Sequence, residues 1–215
     1  MTNNTYTKIF IILLTINIVC FLTSNIITSK QVTILGLVFT AGDLLFPISY
    51  LINDTIVEVY GYEKAKFSII ISFLSNLLMI ILFLIAISLP YPSFYMNQDA
   101  FKTILLYTPR VFFASLIAYL IGSIFNSKIM SNLKIKKGKL WNRTILSSLV
   151  SELLDTIIFI SIAFLGSIEI NIIIKMIVSV YTLKILIEII LTPILILIIK
   201  KIKKLEGVTK WNTFT

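Results

Sequence analysis

Apolar residues run in long blocks along this chain, and polar residues gather in short clusters between them. The blocks predict six helical spans, at about 9–28, 43–60, 65–89, 109–129, 144–165 and 175–199. Each is close to the ~20 apolar residues that an α-helix needs to cross a bilayer. The expected fold class is therefore an all-α membrane protein, a six-transmembrane helix bundle forming one integral membrane domain over residues 1–215. One segment breaks the pattern. Gln31 to Thr40 is rich in β-branched residues, carries Gly36 near its centre and stops at Ala41-Gly42. It predicts a short re-entrant hairpin between the first two spans. Non-helical backbone at membrane depth must be shielded by protein or line a cavity, so such a hairpin belongs next to one.

Punctuation residues set the span ends. Asp43 can cap the start of span two, with Pro47 early in the helix, and Gly61 offers its stop. Pro90-Tyr91-Pro92 gives span three an extended exit, and Pro109-Arg110 opens span four.

Composition agrees: 58% of residues are hydrophobic, 13% are charged, and the mean hydropathy is +0.99. The net charge of +9 points to nucleic acid only until the charges are placed. With six spans, fourteen Lys and Arg fall on the side of the two termini and four on the other. That asymmetry predicts a multi-pass protein of the cell membrane (inner or plasma membrane), with both termini in the cytoplasm and the lipid bilayer, not nucleic acid, as its surroundings. The single cysteine, Cys20, excludes an internal disulfide, and the absence of histidine removes the commonest general base and metal ligand. No metal or cofactor is expected.

Against this apolar background a few charges stand out. Asp54 and Glu58 share a face of span two at i and i+4; Glu152 and Asp155 lie in span five, and Lys184 in span six. Counting about 1.5 Å per helical residue, Asp54 lies ~16 Å, Asp155 ~18 Å and Lys184 ~14 Å from their span ends. All three are near the middle of a hydrocarbon core about 30 Å thick, where ionisable groups mark function by default. Convergence of several segments at one depth is how a transporter's substrate site is built. The plainer reading is a structural ion pair of Asp155 with Lys184, but one lysine cannot neutralise four carboxylates. Glu188, four residues from Lys184, could also pair with it. Asn25 and Asn76 read equally as interhelical hydrogen-bond glue or as ligand contacts. Ser147, Ser148 and Ser151 suit close helix packing, Arg143 reads as an anchor at the basic side, and Thr192-Pro193 suggests a kink.

The run Phe46-Pro47-Ile48-Ser49-Tyr50, followed by Asp54-Thr55-Ile56-Val57-Glu58-Val59-Tyr60-Gly61 and Lys64-Ala65, closely resembles the YhhQ family of queuosine precursor transporters, also called the vitamin uptake transporter family. The resemblance continues through Leu140 to Ser148, Ser151 to Phe159, and Tyr181-Thr182-Leu183-Lys184 with Thr192-Pro193. Glu152 departs from it, standing where glutamine is expected. The resemblance implies import of 7-deazaguanine compounds for tRNA modification: the cyano or aminomethyl precursor bases, or queuine and its nucleoside. The convergence of the buried charges, not the resemblance, makes Asn25, Asp54, Glu58, Glu152, Asp155 and Lys184 the expected substrate-binding residues, with Asp54, Glu58 and Asp155 as the floor of one site. The chemistry suits this. A guanine-like edge presents adjacent N–H donors that one carboxylate can accept together, and its carbonyl calls for a cation or an amide.

Enzyme readings find little support, with no histidine, no cysteine in a polar cluster and no glycine-rich phosphate loop. The alternative is a substrate-binding subunit of an energy-coupling-factor importer, which relies on a separate ATPase. Whether an ion or an energising partner drives transport stays open at this level.

Overall fold

The computed structural model describes residues 8–34, 37–105, 109–136, 139–167 and 169–206. Gly36 of the expected hairpin lies outside them, as do Lys137 and Lys210 of the basic side. Among the described residues, seven helices carry the fold: α1 Lys8–Ile27, α2 Phe46–Tyr60, α3 Tyr62–Ser88, α4 Gln98–Leu105, α5 Pro109–Ile135, α6 Leu140–Phe164 and α7 Ile170–Leu205. Strands β1 (Gln31–Ile34) and β2 (Leu37–Thr40) pair antiparallel between α1 and α2, with Gln31 opposite Thr40 and Val32 opposite Phe39. The expected hairpin is present, and a 3-10 turn, Ala41–Leu44, joins it to α2.

The distribution of side chains is inverted relative to a soluble protein. Ile11, Ile12, Ile16 and Val19 of α1, the Leu74–Ile85 face of α3 and Ile190, Ile194 and Leu197 of α7 point outward. Asn17, Asn53, Asp54, Glu152 and Thr156 are wholly buried. Apolar surface without and polar groups within is the arrangement that a lipid solvent selects. Five helical stretches among the described residues are long and apolar enough to cross a membrane. This is a multi-pass membrane protein.

Helix α2 is the exception, at 15 residues and about 22 Å. Twelve of those residues are buried, because α1, α3, α5 and α7 all pack around it. A helix enclosed on every side has no lipid face, which is why its sequence mixes Asn53, Asp54, Thr55 and Glu58 with Ile56 and Val57 rather than showing one apolar stripe. The remaining depth of that segment is supplied by the 3-10 turn and the hairpin.

Local signals resolve as the residues require. Gly61 has φ 89° and separates α2 from α3, the conformation that glycine adopts without strain. Asp43 does not cap α2. Its carboxylate accepts hydrogen bonds from the Thr40 amide at 2.8 Å and the Thr40 hydroxyl at 2.9 Å, tying the turn back onto β2. Gly42 is the close-approach point, since a Cβ there would stand 2.1 Å from Thr28 Oγ1 and 2.6 Å from the Ser24 carbonyl oxygen. Ser24 in turn donates to the Gly42 carbonyl at 2.9 Å. Pro193 sits inside α7, which is assigned as one helix from Ile170 to Leu205.

Candidate functional site

The buried polar residues form three stations along the core, beginning nearest the hairpin. At the first, Lys184 Nζ of α7 lies 2.6 Å from Asp155 Oδ2 of α6, and both side chains are about 5% exposed or less. The same ammonium stands 5.3 Å from the centre of the Phe46 ring, a cation–π arrangement. Asp43 lies within electrostatic reach of this pair. Tyr50 of α2 turns its hydroxyl toward Asp155, and Gly122 of α5 makes room for both; a Cβ there would be 2.3 Å from Tyr50 Oη and 3.0 Å from Asp155 Cβ. Above the pair is a crevice lined by Asn25, Thr28, Thr40, Asp43, Phe46 and Ser115, among others. Ser115 donates to Asn25 Oδ1 at 2.7 Å, and Asn25 Nδ2 donates to the Phe21 carbonyl at 3.2 Å. The crevice has about 10 Å³ of free volume, room for about one water and far less than a purine needs.

Next, one helical turn along α6 and α7, are Glu152 and Glu188, both buried. Asp54 is at this level on α2, where Asn126 of α5 donates to its Oδ1 at 2.7 Å and Ser151 of α6 donates to Asn126 Oδ1 at 3.1 Å. That relay ties three helices through one amide.

The third station is at the far end of α2. Arg143 Nη1 lies 2.8 Å from Glu58 Oε2, and Lys203 of α7 pairs with the other carboxylate oxygen. Lys134 of α5 donates to the Glu58 carbonyl at 2.6 Å and to the Val57 carbonyl at 3.4 Å. A cation on the last carbonyls of a helix satisfies acceptors that have no partner within it and complements its dipole. Tyr60 donates to Glu206 at 2.9 Å and adds a further tie between α2 and α7.

The six expected contact residues are therefore not one floor. The structure joins Asp155 to Lys184 and sets Asn25 on the adjoining crevice. Asp54 and Glu152 lie a turn deeper, and Glu58 belongs to a separate ionic cluster. Arg143, read as an anchor at the basic side, has a further role: its side chain is 4% exposed and pairs with Glu58. Its position near the start of a span hid this, because a basic residue there satisfies the positive-inside pattern whether or not it also pairs inward. Lys203 and Lys134 were obscured in the same way.

A second polar hub carried almost no signal in the sequence. Asn17 Nδ2 of α1 is within 3.1 Å of Ser72 Oγ and 3.2 Å of Tyr119 Oη, with Asn53 and Ser68 at 3.5 Å. Tyr119 stacks on Phe21 with centroids 3.7 Å apart. Four helices meet there, but uncharged Asn, Ser and Tyr scattered over a hundred residues show no motif. Asn76 is buried nearby in the chain on α3, and neither end of its amide has a hydrogen-bond partner among the described residues.

Comparison with known proteins adds independent findings. The family model described as "Putative vitamin uptake transporter" matches residues 40–198. A protein of Bacillus subtilis (strain 168), named "Probable queuosine precursor transporter", is 29% identical over 174 residues, which is 79% of this chain and 76% of the relative. The "Queuosine precursor transporter" of Escherichia coli (strain K12) is 30% identical over 141 residues, which is 66% of this chain and 62% of the relative. No solved structure matches the chain.

Proposed function

The chain belongs to the vitamin uptake transporter family, and from that premise we propose that it imports queuosine precursors, 7-deazaguanine bases, across the cell membrane. The matched segment, residues 40–198, contains Asp54, Glu58, Glu152, Asp155 and Lys184, so the family match covers the charged residues of the candidate site and not only the surrounding helices. The observation that carries the reading is the Asp155–Lys184 pair, contributed by two helices and buried beneath the crevice of Asn25, Asp43 and Phe46.

In this reading Lys184 holds Asp155 in place while the site holds no substrate. An entering base offers its paired N–H donors to Asp155, Lys184 turns to the base's carbonyl oxygen, and Phe46 stacks on the ring. Asn25 supplies a further amide contact. Asp54 stands a turn farther along the path, and Glu58 forms part of the closure at the cytoplasmic end. The crevice must widen to admit a base, so α1, the hairpin and α5, which wall it, separate from one another on entry.

Orientation follows from charge. Both termini lie in the cytoplasm, the side where Lys134, Arg143 and Lys203 gather. A reporter fused to the C-terminus is active only in its cytoplasmic form; activity only as an exported enzyme would reverse the assignment. The site itself is tested by binding of the cyano base to purified protein, normalised to folded material. Asp155→Asn replaces an acceptor by a donor at the same size, and a site built on hydrogen bonds rejects such a mismatch by up to ~10⁴-fold. Wild-type affinity in Asp155→Asn refutes the assignment.

A further inference from the structure

The buried acids of the core outnumber its buried bases. Glu58 is answered by Arg143 and Lys203. Elsewhere Asp43, Asp54, Glu152, Asp155 and Glu188 are all buried, and Lys184 is the one buried base that remains among the described residues. Asp155 holds it at 2.6 Å. Other acids have neutral partners. Asp43 accepts from the Thr40 amide and hydroxyl, Asp54 accepts from the Asn126 amide, and Ser148 of α6 faces Glu188. Glu152 has none: it is 0% exposed, and neither of its carboxylate oxygens meets a hydrogen-bond donor among the described residues.

Its position ties it to the central pair. Glu152 and Asp155 are three residues apart on α6 and share a face, about 4.5 Å apart along the axis and about 5–6 Å between Cβ atoms. The step leads from Asp155 toward the end of α6 where Arg143 lies. Lys184 is within electrostatic reach of both carboxylates, so Glu152 borders the same site. The neighbouring donors are committed elsewhere. Asn126 donates to Asp54, Ser151 donates to the Ser147 carbonyl at 2.6 Å, and Tyr181 donates to the Leu149 carbonyl at 2.9 Å. A carboxylate left without a donor in a dry interior destabilises the fold, so its presence calls for a partner that is not part of the chain. Positive charge is what the surroundings lack. No group of acids, cysteines or histidines suited to a metal occurs among the described residues, which leaves an organic cation.

We propose that Glu152 is the specificity residue of the site, receiving a protonated amine borne at the 7-position of the base, so that the chain, on the transport reading, selects cationic 7-deazaguanines over neutral ones. In such a base the paired N–H donors, the carbonyl and the 7-substituent follow one another along one side of the ring system. The protein sets out its groups in the same order: Asp155 for the N–H donors, Lys184 for the carbonyl and Glu152, one turn on, for the substituent. An aminomethyl group is a primary ammonium at neutral pH, with three N–H donors. Beside the carbonyl it comes close to the Lys184 ammonium, and the two like charges repel. Glu152, within reach of Lys184, offsets that repulsion and accepts from the substrate's ammonium in a charge-assisted hydrogen bond. A cyano group offers Glu152 no donor, and a hydroxymethyl group offers one without charge. The contacts of Asp155 and Lys184 are the same for all three bases, so the discrimination comes from Glu152.

Binding to the purified full-length chain, normalised to folded protein, provides the test, with the aminomethyl, hydroxymethyl and cyano bases as probes. The hydroxymethyl base matches the aminomethyl one in size and lacks its charge. The wild type should bind the aminomethyl base at least about 100-fold more tightly than the hydroxymethyl base, the scale on which losing one member of a buried charge pair weakens binding. Glu152→Gln keeps the size of the side chain and should bring the two bases within about threefold of each other, while the affinity for the cyano base is kept. Glu152→Met removes the unpartnered acid altogether, should level the two bases likewise, and decides the matter where the amide variant does not fold. Equal affinity of the wild type for the aminomethyl and hydroxymethyl bases overturns the inference, and so does a preference that survives in either folded variant. If the cyano base binds and depends on Asp155 while the aminomethyl base gains nothing over it, the inference falls and the transport reading stands. If none of the three bases binds the wild type, the queuosine reading falls and takes the inference with it.

Discussion

Removing Lys184 isolates the energetic role of the central pair. The Lys184→Met variant keeps a long flexible side chain at the position but leaves Asp155 buried without its cation. At an effective dielectric of about 20, unit charges 2.6 Å apart attract by roughly 6 kcal/mol. Most of that attraction offsets the several kcal/mol needed to bring each ion out of water, so the intact pair contributes little net stability. Breaking it is different. The desolvation of Asp155 remains while the compensation is gone, and the expected loss is about 3–5 kcal/mol. For a chain of this size each kcal/mol is worth about 2–4 °C, so the detergent-solubilised variant should melt at least ~6 °C lower. The double variant Asp155→Leu with Lys184→Met removes both charges and should recover most of that loss. It should recover no binding of the cyano base. Thermal melts of all three variants beside ligand titrations separate stability from recognition. A single Lys184→Met variant that melts with the wild type, or a double variant no more stable than the single, refutes the account of a buried, mutually neutralised pair.

The other ties yield shorter tests. Gly122→Ala places a methyl group 2.3 Å from Tyr50 Oη and 3.0 Å from Asp155 Cβ, and should cost about 1–3 kcal/mol in thermal stability; an unchanged melting temperature would show that α5 stands farther from α2 and α6. Gly42→Ala meets Ser24 backbone at 2.6 Å, so the hairpin should lose its seat on α1 and become accessible to protease in intact vesicles; wild-type protection would refute that contact. Arg143→Gln leaves Glu58 with Lys203 alone and should raise water accessibility of a cysteine probe introduced beside Glu58, which labelling rates measure.

The fold was legible where lipid solvation dictates it. Long apolar runs became helices, Gly61 ended α2, and the β-branched stretch with Gly36 near its centre became a hairpin. The Lys184–Asp155 pair was legible too, because a charge in an apolar block must find a partner and few were on offer. What failed was the grouping of Asp54, Glu58 and Asp155 into one floor. The depth of Asp54 is counted from Asp43, whereas α2 begins at Phe46 after a turn that Asp43 fastens to β2. Depth along an axis also says nothing about which helix stands beside which. Glu58 meets α6 and α7 at residues 143 and 203, both near the water, where basic residues are ordinary and carry no sign of pairing inward. The Asn17 hub shows a different limit. Each of its members is individually commonplace, and only the packing of four helices gives them a common centre.

The two ends of the bundle are closed by unlike chemistry, and this asymmetry bears on how the protein could alternate between openings. At the hairpin end the closure is neutral or local: Ser24 to the Gly42 carbonyl, Ser115 to Asn25, and Asp43 bonded to Thr40 only three residues away. At the other end one buried carboxylate, Glu58, is held by Arg143 of α6 and Lys203 of α7, while Lys134 of α5 grips the end of the same helix. Net contributions near 1 kcal/mol are ordinary for neutral hydrogen bonds, whereas parting a buried charge pair leaves an ion to be solvated at several kcal/mol. Opening the hairpin end therefore requires less free energy than opening the ionic end until water reaches Glu58. The chain should rest open toward the hairpin side in the absence of substrate more often than toward the other, and Glu58→Gln, which removes the charge but not the volume, should shift that balance toward the ionic end. Accessibility of single cysteines placed at the two mouths, compared between wild type and Glu58→Gln, measures the shift directly. Equal labelling at both mouths in the wild type, unchanged by the substitution, is the result that this asymmetry forbids.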